Sequence, residues 1–505
     1  MTHVLALDLG TTGTRSVLFN AAGKMIGYAY EEWESIHPSP AEVEQDATTW
    51  WRATRETIIR VLDRTGIHPK DIDAVAVTNQ RETIVPVDKS GVPLANAIVW
   101  QDRRTAKREC PIIRERLGED LVYKLTGLTI DPYFSASKIL WFKRNRPKIH
   151  AATAKYLLVH DFIVHRLIGE FYSDPSNASR TMLYDINRRD WCDEILDGLE
   201  IDFDLLPEVI PSGEIIGEIG SKTDSGLAAG TKVIAGGGDQ QCAALGVGVT
   251  GGGKVKCTMG TGTFLVAHSE TVQLDPGKRV ICSCSVLGNT HVVEASMFST
   301  GALLRWARDT IGKKECDIAE REDTSPYAII DDLASKSPAG AKGLLFLPFI
   351  VGAGAPYWNP DARGTLFGIA AGHDRGDIYR AIMEATSFDV NQNIEVFREM
   401  GLQVDELRLT GGGSRSSIWN QILANACNVP CLKPSFEQAT AVGVALLAAT
   451  GAGLYRDIKR AASEFITIDY RFEPSQEIHE IYRDVMARYV KLYKTLVKGS
   501  MFRST

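Results

Sequence analysis

Two stretches of this chain carry the same order: a short apolar strand, a tight Gly/Thr turn, and a second apolar strand. The first is HVLALDLGTTGTRSVLFN, from His3 to Asn20, and the second is KVKCTMGTGTFLVAHS, from Lys254 to Ser269. Helical patterning follows each of them. A chain of 505 residues is too long for one hydrophobic core. The repeat therefore predicts two α/β domains, residues 1–250 and 251–505, with a ligand cleft between them. Apolar spacing predicts a helix over Ala47 to Leu62 and a buried strand over Asp73 to Thr78. It also predicts mostly helix from 101 to 230 and a helix rich in small residues from Thr440 to Ala449. KVIAGGGDQ and ELRLTGGG read as strands that end in glycine turns.

These turns hold the candidate chemistry. DLGTTGTR, from Asp8 to Arg15, can cradle phosphate. Gly13 leaves backbone N–H groups open, Thr11 and Thr12 add hydroxyl donors, and Arg15 adds positive charge. No Gly-Lys-Ser/Thr follows, and the Gly10-x-x-Gly13 spacing is not the dinucleotide fingerprint. Taken alone, the turn is equally an ordinary hairpin. TMGTGTF repeats the chemistry with Thr261 and Gly262. Two such cradles on opposite walls of a cleft would hold one polyphosphate. LTGGGSRSS supplies flat backbone at Gly412 and Gly413 for a planar ring. Ser414 and Ser416 stand there as donors at a helix N-terminus. A plain strand-to-helix turn is the alternative.

GGGDQQ places Asp239 after three glycines at a strand end. A carboxylate there can take a proton from a hydroxyl or orient metal-bound water, or it can simply cap a helix. Asp8 is the second acid at a strand end. Two carboxylates beside phosphate cradles suit magnesium-assisted phosphoryl transfer. In NQRET, Arg81 and Glu82 can grip adjacent hydroxyls of a polyol, one donating and one accepting, or form a solvated ion pair. Trp100 and Tyr133 can wall a small polar ligand or serve as core.

Lys plus Arg number 56 against 63 Asp plus Glu, a net charge of −7. No basic excess points to nucleic acid or a membrane surface. No apolar run approaches the roughly 18 residues a membrane helix needs. Asp8 breaks the first apolar run, so no signal peptide is expected. Nine cysteines without paired zinc-like spacing predict buried reduced thiols and a cytoplasmic protein.

Several stretches resemble the FGGY family of carbohydrate and polyol kinases, within the actin-like ATPase superfamily. YFSASKILWFKRN (Tyr133 to Asn145) and GTLFGIAAGHDRGDIYRAIME (Gly364 to Glu384) fit the family's signature patterns. NQRET, NAIVWQDRR, SNASRTMLYDI and GAPYWNPDARG are similar to its glycerol kinase branch. The likeness runs from about residue 4 to about residue 450. It implies an α/β fold of two actin-like (ribonuclease H-like) ATPase domains with an interdomain catalytic cleft. It implies ATP and Mg²⁺ as cofactors and ATP-dependent phosphorylation of a terminal hydroxyl of glycerol, giving glycerol 3-phosphate and ADP.

Carried over by motif, Arg81, Glu82, Tyr133, Asp239 and Gln240 would bind the acceptor, with Trp100 and Phe264 on its carbon backbone. Asp239 would be the general base, and Asp8 with Asp239 would place the metal. Thr11, Thr12, Gly13, Arg15, Thr261, Gly262, Gly301, Arg305, Gly412, Gly413 and Ser416 would contact the nucleotide. Departures fall on the ATP side. TTGTR stands for TTSSR, the GGGSRSS turn is similar to the xylulose kinase branch, and Arg305 replaces a usual Gln. A kinase for xylulose or another four- to five-carbon polyol is the alternative. A non-enzymatic actin-like nucleotide-binding scaffold is more remote. The expected partners are a small polyol and a second copy of the chain, as a dimer or tetramer, with no nucleic acid or membrane.

Overall fold

The computed structural model describes residues 2–502. Two sheets dominate it. The first comprises β1 (His3–Leu9), β2 (Gly13–Asn20), β3 (Met25–Glu32), β4 (Ile72–Asn79), β5 (Ile215–Glu218) and β6 (Lys232–Gly238). Their spatial order is β5-β6-β4-β1-β2-β3. The second comprises β7 (Gly253–Met259), β8 (Thr263–Ser269), β9 (Ile281–Cys284), β10 (His291–Met297), β11 (Val404–Thr410), β12 (Cys431–Pro434) and β13 (Ile468–Phe472). Their order is β9-β10-β8-β7-β11-β12-β13.

The two sheets share one plan. A three-stranded antiparallel meander, β1-β2-β3 or β7-β8-β10, lies beside two parallel strands, β4 and β6 or β11 and β12. Central strands covered on both faces read as continuous apolar runs, which is why HVLALDL and AVAV lack alternation. The edge strand β3, MIGYAYEE, keeps exposed positions.

The helices that position the site are α1 (Ala47–Thr65), α2 (Ser135–Asn145), α3 (Asp239–Gly246), α4 (Gly301–Thr310), α5 (Pro326–Lys336), α6 (Arg375–Glu399), α7 (Ser417–Cys427) and α8 (Ala439–Gly451). Helix α1 begins where the Asp46 side chain accepts from the Thr48 amide and ends at left-handed Gly66. The expected helical region of 101–230 ends early. Helices occur between Glu109 and Leu199, after which short strands and loops lead to β5 and β6.

Helix α8 belongs to the second half of the sequence, yet it packs against β1, β4 and β6 of the first sheet and crosses α3. The crossing is closer than side chains allow. A Cβ on Gly246 would sit 1.8 Å from the Ala439 carbonyl oxygen, and one on Gly443 would sit 1.8 Å from that of Cys242. Its composition, ATAVGVALLAATG, follows from burial on nearly every side. No described helix is long and apolar enough to cross a membrane. All nine cysteines are free thiols, and only Cys316 is not fully buried.

Candidate active site

Ligands of open α/β sheets bind at the carboxyl ends of parallel strands. The candidate residues gather there. Asp8 lies on β1 with the first Gly/Thr turn just beyond, Arg81 and Glu82 follow β4, and Asp239 follows β6. In the second sheet, Gly260 to Gly262 follow β7, and the triple glycine follows β11.

The two Gly/Thr turns have matching internal bonds. The Gly10 amide donates to the Gly13 carbonyl, and the Gly260 amide to that of Gly262, both at 2.9 Å. Only glycine fits at their far ends. A Cβ on Gly13 would lie 2.4 Å from the Glu31 carbonyl oxygen, and one on Gly262 would lie 2.3 Å from that of Met297. The first turn is braced from outside. The Thr11 carbonyl accepts from Gln45 Nε2 at 2.8 Å and Trp33 Nε1 at 3.0 Å, and Thr11 Oγ1 accepts from Trp100 Nε1 at 2.9 Å. The second turn is tied to the start of α4, where the Gly301 amide donates to Gly260 and the Thr300 and Ala302 amides donate to Thr261. Thr12 and Thr261 remain exposed at the turn tips.

In the third turn, Gly412 faces open space. The Ser414 hydroxyl is spent on the Gly411 carbonyl at 2.7 Å, so it is not the free donor expected. Ser416 caps α7, its Oγ accepting from the Trp419 amide. Arg305 projects from α4 as an exposed side chain without an ion-pair partner among the described residues.

Arg81 and Glu82 do not form a solvated surface pair, since both are buried. Arg81 donates to Glu294 through both Nη atoms, at 2.7 and 3.1 Å, and to Gln241 Oε1 at 3.0 Å. Its Nε lies 3.3 Å from Asp239 Oδ1. Glu82 accepts from Arg180 Nε at 2.6 Å. Lys256 Nζ reaches Gln240 Oε1 at 2.5 Å. Glu294 lies on β10 and Lys256 on β7, so the second sheet completes a cluster begun on the first. Three cations, Arg81, Arg180 and Lys256, face three carboxylates, Glu82, Glu294 and Asp239. The Trp100 and Tyr133 rings meet edge-to-face at 5.4 Å beside this cluster, with the Arg180 guanidinium 5.7 Å from the Tyr133 ring centre. Phe264, on β8, is half-buried.

Burial sets the electrostatics. It raises the Glu82 carboxyl, against the opposing pull of Arg180 and Arg81. At Glu294 burial also raises, but Arg180 and Arg81 prevail and hold the carboxyl at about 2. Burial lowers Lys256 to about 8, with Glu294 and Asp239 opposing. Asp8 is pushed up to about 7 by burial, with Arg15 lowering it and Asp239 raising it further. Asp239 is the first residue of α3 and makes no side-chain cap. Its Oδ1 accepts from the neighbouring Gln240 amide at 2.7 Å and faces Arg81 Nε, and the carboxylate stays half-exposed.

Arg180, Glu294, Lys256 and Gln241 were not expected from the sequence. A signal for two of them was present, because Lys256 and Glu294 are lone charges inside otherwise apolar strands, VKC and VVEAS. A charge in a buried strand needs a partner.

Two sheets of one topology, each closing its first hairpin with a Gly/Thr turn, define the actin-like ATPase architecture. Residues 3–246 match the N-terminal domain of the FGGY family of carbohydrate kinases, and residues 255–452 match its C-terminal domain. The chain belongs to that family. It is 36% identical to glycerol kinase 2 of Thermotoga maritima over 95% of this chain and 96% of that protein. Among solved structures, xylulose kinase from Rhodospirillum rubrum superposes with a TM-score of 0.91 at 25% identity, covering 99% of both chains. Plasmodium falciparum glycerol kinase with ADP superposes with a TM-score of 0.88 at 24% identity, covering 97% of this chain and 98% of that one.

Proposed function

We propose that this carbohydrate kinase transfers the γ-phosphoryl group of ATP to a terminal hydroxyl of glycerol, giving glycerol 3-phosphate and ADP. The observation that carries the reading is the charge-balanced cluster around Asp239. A neutral polyol needs convergent donors and acceptors but no net charge. A sugar acid would need a spare cation, and the three cations here are already matched. The similarity to a glycerol kinase supports the choice of acceptor.

Arg81 and Glu82 act on adjacent hydroxyls, and Gln240 and Tyr133 complete the polar set. Trp100 and Phe264 cover the carbon chain and exclude water, which otherwise competes as acceptor. Asp239 takes the proton of the attacking hydroxyl. The new O–P bond forms as the bond from the γ-phosphorus to the bridging oxygen of ADP breaks. Thr11, Thr12, Gly13 and Arg15 on one side and Thr261 and Gly262 on the other receive the phosphates. Gly301, Arg305, Gly412, Gly413 and Ser416 receive the nucleoside.

Mg²⁺ fits this donor set. The nearby Asp239 charge raises the cost of ionising Asp8, as expected where two carboxylates stand close enough to share a cation. The described residues contain no cluster of three metal-ligating side chains. Two carboxylates at strand ends suit an ion that keeps waters and binds one or two carboxylates with phosphate oxygens. Such an ion would neutralise charge on the phosphates. We place the two-domain division near residue 250 and the working protein in the cytoplasm as a homo-oligomer, dimer or tetramer.

The test is an acceptor screen with ATP over glycerol, erythritol, ribitol, xylulose and gluconate. The expected result is the highest kcat/KM on glycerol. A far higher value on xylulose would replace the reading with the pentulose kinase that the Rhodospirillum structure favours.

A further inference from the structure

Three glycines precede Asp239, and each has its own reason to be there. Strand β6 takes three steps, Ile234 to Gly237, where β4 takes two, Ala76 to Thr78. This is a bulge at the strand end. There a Cβ on Gly236 would lie 1.7 Å from the Val77 carbonyl oxygen. One on Gly237 would lie 2.8 Å from Ser176 Oγ, and one on Gly238 would lie 2.5 Å from Arg81 Cδ. The backbone leading to Asp239 is thus pressed against its neighbours on every side.

Two amides of this segment donate to side chains. The Gly236 amide donates to His160 Nε2 at 3.3 Å, and the Gly238 amide to Ser176 Oγ at 2.9 Å. Gly238 is the N-cap of α3. A cap amide is often met by the side chain three residues further on. Here that residue is Gln241, whose Oε1 accepts from Arg81 instead, so Ser176 takes the cap amide. Both acceptors lead back to buried acids. The Ser176 hydroxyl donates to Asp174 Oδ1, since a carboxylate can only accept. His160 Nδ1 lies 3.1 Å from Asp161 Oδ1 and 3.9 Å from Asp174 Oδ2. Because Nε2 accepts from the Gly236 amide, the ring proton sits on Nδ1, toward these acids. Asp174 is itself fixed, its Oδ1 accepting from the Ser176 amide at 2.9 Å and its Oδ2 from Asn177 Nδ2 at 2.5 Å. His160, Asp161, Asp174 and Ser176 are all fully buried, and the proposed mechanism uses none of them. A satisfied buried network of this kind rigidifies what it holds.

We infer that Ser176, backed by Asp174 and His160, is a positioning residue for the Asp239 carboxylate. It holds the Gly238 peptide from which Asp239 projects, and so sets where the base meets the attacking hydroxyl. The inference rests on the proposed base role of Asp239. A reacting group displaced by about 1 Å loses on the order of 100-fold in rate, so the grip on this one peptide matters to turnover.

The test is steady-state kinetics with ATP and glycerol on wild type, Ser176→Ala, Asp239→Asn and the double variant. Ser176→Ala is expected to lower kcat at least about tenfold and to keep KM for ATP and glycerol within about twofold. In the Asp239→Asn background the same change is expected to alter kcat by less than about twofold, because the group it aims is gone. A merely structural role would lower kcat equally in both backgrounds. Ser176→Cys keeps the side-chain size and leaves only a weak sulfur acceptor, so it gives the same pattern if the alanine variant does not fold. Near-normal kcat in the Ser176 variants, or equal losses in both backgrounds, overturns the positioning role and leaves the kinase reading intact. Wild-type protein without turnover on any acceptor overturns both.

Discussion

Replacing Glu294 with Gln removes one negative charge from the buried cluster while keeping its shape. Arg81 then loses its bidentate carboxylate, and Arg180 loses a carboxylate 3.6 Å away. The folded protein holds Glu294 at about 2 against an ordinary 4.5. Two and a half tenfold steps at about 1.4 kcal/mol each give about 3.5 kcal/mol at neutral pH. Breaking a buried ion pair usually costs about 3–5 kcal/mol. Here the lower end applies, because Arg81 keeps Asp239 and Gln241 and Arg180 keeps Glu82. The sign follows from the direction of the shift. A depressed folded value contributes stability above pH 4.5 that is lost as pH falls toward 2. Thermal unfolding is therefore expected to show Glu294→Gln about 4 °C below wild type, by the same amount from pH 8 to pH 5. Arg81, now underpaired, moves toward Asp239, and the acceptor KM rises about tenfold. A variant within 1 °C of wild type at about pH 7, with unchanged KM, would refute the claim that Glu294 organises the cluster.

Asp239→Asn is expected to lower kcat by about 10³-fold or more while ATP still protects against thermal unfolding; near-normal turnover would remove Asp239 from the base role. Lys256 loses its proton near pH 8 and with it the charged donor to Gln240. Acceptor kcat/KM is expected to fall above that pH, and Lys256→Met should be slower at pH 7 with that limb missing. Gly443→Val places its Cβ against the Cys242 carbonyl, where an ideal Cβ would be at 1.8 Å. It should cost about 3 kcal/mol by overpacking, read as a lower unfolding temperature. An unfolding temperature equal to wild type would show that the α3–α8 crossing is not as close as described.

How far the site was legible depended on whether its chemistry is local. The Gly/Thr turns were readable because tight turns are built from consecutive backbone groups, and GTTGT and GTGT mark them as such. Asp239 was readable because three glycines before an acid mark a strand end. The helix expected over Thr440 to Ala449 is present as α8, but nothing in its composition named the first sheet as its bed. Small residues allow close packing without specifying a partner. The free donor expected at Ser414 failed because its hydroxyl turns back to Gly411, a backbone detail that sequence does not encode.

The sequence by itself determined the repeated strand–turn–strand units, the acids and glycines at strand ends, and the kinship that follows from them. These are short-range patterns, governed by backbone sterics and by which residues the turns tolerate. The tertiary structure alone decided that Arg81 of the first sheet is gripped by Glu294 of the second, 213 residues away. Burial makes each charge seek a partner, but the folded path of the chain determines which partner is within reach.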